Sequence, residues 1–270
     1  VSGGISDADA QVVAQAFVAA RRAAHGLAAY PGTMPATLAE AYVIQDAAIA
    51  LHGDSVAGWK VGRIQPPLDA AFGSDRLAGP IFAGHVVAAG PATAAMPVFG
   101  DGFAAVEAEF IAVLRAADTG RREWTLADAA AQITRAHIGI EIASSPLAAI
   151  NALGPAVTVS DFGNNHGLIV GPAIDDWQAA DLDDWQVTVD IDGAPAGTGR
   201  ARAFPDGIVG SVRFLLTVLA RRGIAVPDGL LVSTGAISGV HRVYVGQSAT
   251  ADFGTQTLTC DFIAATPQLG

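Results

Sequence analysis

Over the first sixty positions, apolar residues recur at helical spacing. Val12, Val13, Ala16, Phe17 and Ala20 share one face of a predicted helix that Ser6 can cap, running to about His25, where Gly26 stops it. Thr37-Leu-Ala-Glu40 has the form of a capping box for a second helix ending near His52-Gly53. Pro31, Gly32 and Pro35 fill the loop between them. Beyond residue 55 the texture changes. Ser55–Ile64, Gly79–Val87, Val106–Leu114, His137–Ala143 and Gly167–Gly171 read as strands, and Trp185–Gly193 alternates and then turns at Asp192-Gly193, a hairpin signal. Thr125 starts a short helix to about Arg135, and a longer one closes at Gly223. GLLVSTG, HRVYVG and QTLTCDF complete the β-rich part. Helices do not alternate regularly with these strands. The pattern predicts the α+β class rather than a Rossmann or TIM arrangement: a helical region over residues 1–55 and a β-rich region over residues 56–270, forming one structural unit.

Composition narrows the function classes. Of the 270 residues, 51% are hydrophobic and 15% charged, ample for a core and unlike a disordered chain. A net charge of −11 argues against a nucleic-acid-binding surface, which needs clustered Lys and Arg. No window of about 20 residues is continuously apolar, so no membrane span is expected. The segment VSGGISDADAQ has no basic stretch followed by an apolar one, so no signal peptide is expected. Cys260 is the single cysteine. It allows no intrachain disulfide and no cysteine metal site, which fits a cytoplasmic protein.

The chemistry begins with AAVEAEFIAVL (Ala104–Leu114). On a strand, Glu107 and Glu109 share a face inside an apolar run. Burying unpartnered carboxylates costs several kcal/mol, and two close together repel. Either that face meets water or something cationic sits between the two. Glu141, between Ile140 and Ile142, adds a third carboxylate in an apolar β-like run. Three such groups suit a hard divalent cation; a solvated face also accounts for the spacing.

GWKVG (Gly58–Gly62), VEAEF (Val106–Phe110), IEIASS (Ile140–Ser145) and VSTGAISG (Val232–Gly239) follow one another along the chain. In order and spacing they resemble the 2-keto-4-pentenoate hydratase and 4-oxalocrotonate decarboxylase family, a branch of the fumarylacetoacetate hydrolase superfamily. DFGNNHGLIVG (Asp161–Gly171) and VGQSATADFG (Val245–Gly254) are similar to it too. The resemblance implies a mixed β roll or sandwich packed on the N-terminal helices. It implies Mg²⁺ or Mn²⁺ held by Glu107, Glu109 and Glu141, and a small 2-oxo or 2-hydroxydienoic acid chelating that metal. The implied activity is hydration of a 2-hydroxy-2,4-dienoate in aromatic-compound catabolism, with 4-oxalocrotonate-type decarboxylation second and a homo-oligomer as the assembly.

Lys60, in a Gly-flanked apolar strand, needs an anionic partner if buried. It reads either as a structural ion pair or, with the family's matching lysine, as a residue holding substrate oxygens or moving protons. A Schiff-base role is redundant beside a three-carboxylate metal site. The hydratases usually carry a Gly-x-Asp-x-Pro-Asp-type loop. Here GSDRLAGPIF (Gly73–Phe82) keeps Asp75, a candidate catalytic acid, but has Ala78 in place of the second Asp, which puts typical hydration in doubt. Arg63 is unusual for the family and reads as a contact to a second substrate carboxylate or as a surface arginine. By analogy Thr234 and Gly235 contact the substrate carboxylate, since turn amides bind anions and Gly permits close approach; a plain turn is the other reading. Of the six histidines, only His166 lies in a polar Gly-rich turn. The His–Glu water-activating pair of fumarylacetoacetate hydrolases is not found in order, which disfavours a C–C hydrolase. The remaining alternative, a non-catalytic organic-acid-binding protein, sits poorly with an intact Lys60 and three carboxylates.

Overall fold

The structure, a computed structural model, describes residues 4–118 and 120–268. Two helices open the chain, α1 (Asp7–Ala23) and α2 (Leu38–His52). Ser6 caps α1, accepting from the Asp9 amide at 3.1 Å, but the chain leaves the helix at Ala24 (φ 50°) rather than at Gly26. Thr37 caps α2, while the Glu40 carboxylate reaches back to the amide of Ala36 rather than Thr37, so the box is only half formed.

The strands follow: β1 (Val56–Arg63), then a short α3 (Leu68–Phe72), β2 (Arg76–Phe82), β3 (Val86–Ala88), β4 (Ala94–Val98) and β5 (Phe103–Leu114). After α4 (Leu126–Gln132) come β6 (Ile133–Ser145), α5 (Pro155–Ser160), β7 (Asn165–Ala173), β8 (Gln186–Ile191) and β9 (Ala194–Arg200). The chain closes with α6 (Gly207–Arg222), β10 (Leu230–Ser233), β11 (His241–Arg242), β12 (Ser248–Asp252) and β13 (Thr257–Ala264). The expected strand Gly79–Val87 is two strands, split by a 3₁₀ turn at Ala83–His85. The Thr125 capping box and the Asp192-Gly193 hairpin turn, both residues with positive φ, form as expected.

One sheet runs β2-β1-β10-β5-β6-β7-β3, with β11 continuing along β5; the other runs β4-β13-β12-β8-β9. The α+β architecture expected from the sequence is the one observed. Alternation along β5 and β6 divides their side chains. Val106, Ala108 and Phe110 of β5 and Ile138, Ile140 and Ile142 of β6 join Val187, Val189, Ala249 and Phe262 of the other sheet in the main core. The odd-numbered positions face the opposite side. A second core, including Phe17, Ile44, Phe82 and Phe162, packs α1 and α2 onto that side. Glu107, Glu109 and Glu141 also point to that side of β5 and β6.

Candidate metal centre

Glu107 and Glu141 are direct partners across the antiparallel β5–β6 ladder, and Glu109 is the next residue on the same face. Ligand oxygens of all three lie within 4.8 Å of one another. Glu109 and Glu141 are fully buried and Glu107 is 4% exposed. The sheet is interrupted where this happens. β10 pairs with Ile111–Leu114 and β11 with Ala105 and Val106, so residues 234–240 leave the ladder beside Glu107 and Glu109. That detour aims the Gly235 amide at Glu109 Oε2, at 2.7 Å, where the Ser233 hydroxyl also donates at 2.5 Å. Gly235 has φ 116°, and a Cβ there would lie 2.2 Å from the Phe204 ring, so only glycine fits.

Lys60, 3% exposed, enters from β1. Its ammonium lies 2.9 Å from Glu141 Oε2, 3.9 Å from Glu107 Oε1 and 3.3 Å from Asn164 Oδ1. Asn164 (φ 57°) sits on a turn pressed onto β2, where a Cβ on Gly79 would lie 2.1 Å from the Phe162 carbonyl. Asn165 donates to Glu141 Oε1 at 2.9 Å. Behind it, buried Arg21 of α1 grips Asp161 (2.6 and 2.9 Å) and the Asn165 carbonyl (3.1 Å).

The charge balance is incomplete. Three ionised carboxylates against one ammonium leave two negative charges in a buried site. Burial pushes Glu107 up to about 7, with Lys60 pulling the other way. Burial and the neighbouring Glu141 and Glu107 raise Glu109 well above the ordinary carboxylate range. Burial opposes the Lys60 charge, but Glu107, Glu141 and Glu109 outweigh it and keep the ammonium protonated. Glu109 Oε1 is buried with no hydrogen-bond partner among the described residues. An all-oxygen donor set, two missing positive charges and an orphaned buried oxygen fit a hard divalent cation.

The pH dependence follows with a definite sign. A Glu107 carboxyl raised from 4.5 to about 7 in the folded state binds more protons there than in the unfolded chain across that window. The metal-free protein should therefore lose stability as pH rises through about 7, by on the order of 3 kcal/mol for this group. Thermal melts in chelator at pH 5 and pH 8 should show the fall. It should be smaller in Glu107→Gln, and Mn²⁺ should restore more stability at pH 8 than at pH 5. An equal slope in both proteins would contradict this reading.

A cavity of about 350 Å³ opens onto the cluster and is lined by Lys60, Arg63, Glu107, Asn151, Thr158 and Asn164 among others. Arg63 is thus brought to the site; one guanidinium nitrogen donates to the Ala203 carbonyl, and its buried Nε has no partner among the described residues. Asp75 is not. It lies just before β2, pairs with Arg76 at 2.6 Å and faces a different cavity, so the expected catalytic acid is away from the carboxylates. Thr234 adjoins the site, but its hydroxyl is committed to the Phe110 carbonyl at 2.8 Å, leaving Gly235 as the member of that pair that faces the cluster. His166 bonds Arg21 rather than the cavity, at 3.2 Å, and burial holds its pKa well below the usual value. Ser233, Asn164 and Asn165 were not singled out from sequence. The motifs around them were noticed, but nothing in a polar turn says which amide meets which carboxylate.

By sequence, no family model and no curated protein matches the chain. By structure, it superposes on 4-oxalocrotonate decarboxylase from Pseudomonas putida G7, complexed with magnesium and adipate, with a TM-score of 0.79 and 21% identity over 96% of this chain and 99% of that one. The chain has the fold of the fumarylacetoacetate hydrolase superfamily. More distant members of that fold also superpose. Fumarylpyruvate hydrolase from Pseudomonas aeruginosa, in complex with Mn²⁺ and pyruvate, gives 0.55 at 17% identity over 76% of this chain and 88% of that one. A 2-hydroxyhepta-2,4-diene-1,7-dioate isomerase from Mycobacterium marinum gives 0.56 at 17% identity, covering 78% and 77%. Among the described residues, no helix is long and apolar enough to cross a membrane.

Proposed function

We propose that this chain is a divalent-cation-dependent carboxy-lyase acting on a short 2-oxo dicarboxylic acid of the 4-oxalocrotonate type. The observation that carries the reading is the buried cluster of Glu107, Glu109 and Glu141, two positive charges short of balance and open to a cavity that also holds Lys60 and Arg63. The full-length likeness to 4-oxalocrotonate decarboxylase, whose structures hold magnesium with adipate and calcium with acetate, supports it.

The three carboxylates would hold Mg²⁺ or Mn²⁺, which supplies Lewis-acid stabilisation of negative charge developing on the substrate's 2-oxo oxygen. Arg63, which lines the same cavity, holds the distal carboxylate. The bond to that carboxylate breaks and carbon dioxide leaves. The electron pair passes along the conjugated chain to the 2-oxo oxygen, and a proton taken up there gives the 2-hydroxydienoate. Lys60 is the proton carrier: it is protonated, buried and within reach of the cavity. Lys60, Arg63 and Glu107 are the titratable groups lining this cavity among the described residues. A second acid for water delivery is not among them, and this shifts the reading from hydration, the first expectation from the family motifs, toward decarboxylation.

Hydration of the dienoate is the second reading. It is favoured by Asn151, Thr158 and Asn164, whose side chains offer hydrogen bonds to a water in the same cavity. Incubating the protein with Mg²⁺ and 4-oxalocrotonate should release carbon dioxide and form the 2-hydroxydienoate. Consumption of the dienoate without carbon dioxide release would establish hydration instead, and cleavage of an acylpyruvate a C–C hydrolase. Arg63→Met should raise KM for the dicarboxylate about tenfold or more, the scale of one charge-assisted hydrogen bond, with a smaller change in kcat. Unchanged KM would remove Arg63 from the substrate.

A further inference from the structure

A larger cavity, about 750 Å³, lies between α2 and α6 and is unrelated to the carboxylate cluster. Trp59 and Lys60 are neighbours in β1 and point to opposite faces, so Trp59, under the Arg222 guanidinium at 5.0 Å, marks the far side of the strand. Five of the chain's 15 basic residues line this one cavity: Arg76, Arg122, Arg213, Arg221 and Arg222. They face three carboxylates, Asp46, Asp75 and Glu123. Asp206, outside the lining, pairs with Arg213 at 3.5 Å, so a protein of net charge −11 holds an excess of one positive charge here.

Two of these arginines are buried without being satisfied. The Arg222 side chain is 8% exposed and reaches Asp46 with one nitrogen at 2.5 Å, while its Nε and Nη1 have no partner among the described residues. The Arg76 side chain is 3% exposed; it pairs with Asp75 and the Pro205 carbonyl, and its Nε is likewise unpartnered. Buried guanidinium donors without acceptors are costly and call for an anionic oxygen. The rest of the wall is flat and apolar, with Tyr42, Phe72, Trp124 and Phe214. Arg222 also lies over the Tyr42 ring at 4.6 Å, which holds its guanidinium at the aromatic wall. A few convergent polar groups in an aromatic cavity of this size are the usual form of a small-molecule site.

We propose that this cavity is a second ligand site, separate from the carboxylate cluster, for an aromatic carboxylate: the carboxylate on Arg222 and Arg76, the ring among Tyr42, Trp124 and Phe214. Its charge complements the guanidinium groups that line the cavity, and its ring covers the apolar wall.

The test uses 2-naphthoate, its neutral analogue 2-naphthylmethanol and inorganic phosphate as probes on the full chain in chelator, read by calorimetry and tryptophan fluorescence. The naphthoate should bind saturably, one per chain, and more tightly than either control. Arg222→Met should weaken it at least about tenfold, the scale of a lost charge-assisted hydrogen bond. If that variant fails to fold, the double variant Arg213→Gln/Arg221→Gln, on the cavity's rim, should still weaken naphthoate binding and flatten its loss with salt. Lys60→Ala should bind naphthoate as the parent does. No saturation, equal binding of the neutral alcohol, or phosphate binding as tight as naphthoate would each overturn the proposal. So would loss of binding in Lys60→Ala with the arginine variants intact, which would place the acid at the carboxylate cluster.

Discussion

Glu107→Ala is expected to abolish turnover, by about a thousandfold or more, and to leave the protein folded. The loss follows from its place: Glu107 is one of three convergent oxygen donors and the one that lines the cavity. The retained fold follows from the electrostatics. Glu107 is buried, opposite Glu141 in the ladder, and burial pushes its carboxyl up to about 7, so the site does not welcome its charge. Removing it leaves Lys60 paired with Glu141 at 2.9 Å and relieves repulsion in the metal-free protein. Metal-free Glu107→Ala should therefore melt at or above the parent's temperature at pH 8, while its gain in Tm on adding Mn²⁺ should shrink or vanish. A variant that unfolds, or that keeps parental turnover and parental stabilisation by Mn²⁺, would contradict the assignment.

The carboxylates were legible because alternation is a local rule. Residues two apart on a strand share a face whatever the rest of the chain does, and an apolar setting marks that face as buried. What the strand could not reveal was its partner across the ladder. That Glu141 stands opposite Glu107 depends on β5–β6 register; in sequence the two were linked by their like apolar settings and by the resemblance of IEIASS to a family motif, not by position. Asp75 misled for a related reason. The loop motif placed an acid there, but β2 begins at Arg76, so Asp75 lies outside the strand and pairs with its neighbour instead of turning inward. β4 was not singled out, and β9 only through the hairpin signal at Asp192-Gly193, because their sequences resemble loops. β4 carries Pro97 and sits at a sheet edge, where proline is tolerated. β9, at the other edge, carries Gly197 and Gly199 where Ser238, His241 and Ile237 approach too closely for a Cβ. Those glycines answer to the 234–240 segment beside Glu109, a long-range demand that no local pattern reports.

Lys60→Ala is expected to lower kcat by about 10²–10⁴, the range for losing a positioned proton carrier, with a much smaller effect on substrate binding. A surface lysine would move neither. The ammonium is the one cation within 4 Å of the cluster's carboxylates among the described residues, and Glu107, Glu141 and Glu109 outweigh burial to hold its proton. Its removal leaves three buried carboxylates with no counter-charge. The metal-free variant should then be less stable than the parent at pH 8, where ionisation of the cluster is most strongly opposed, and nearer to it at pH 5, where the raised carboxyls keep their protons. The same excess of negative charge should strengthen divalent-cation binding, so Mn²⁺ affinity should rise as turnover falls. These opposite movements separate a proton carrier from a structural ion pair, since loss of mere scaffolding would weaken both. Isothermal titration with Mn²⁺ and steady-state kinetics on one preparation measure the two together. Near-parental kcat, or a fall in Mn²⁺ affinity alongside it, would show that Lys60 only braces the site.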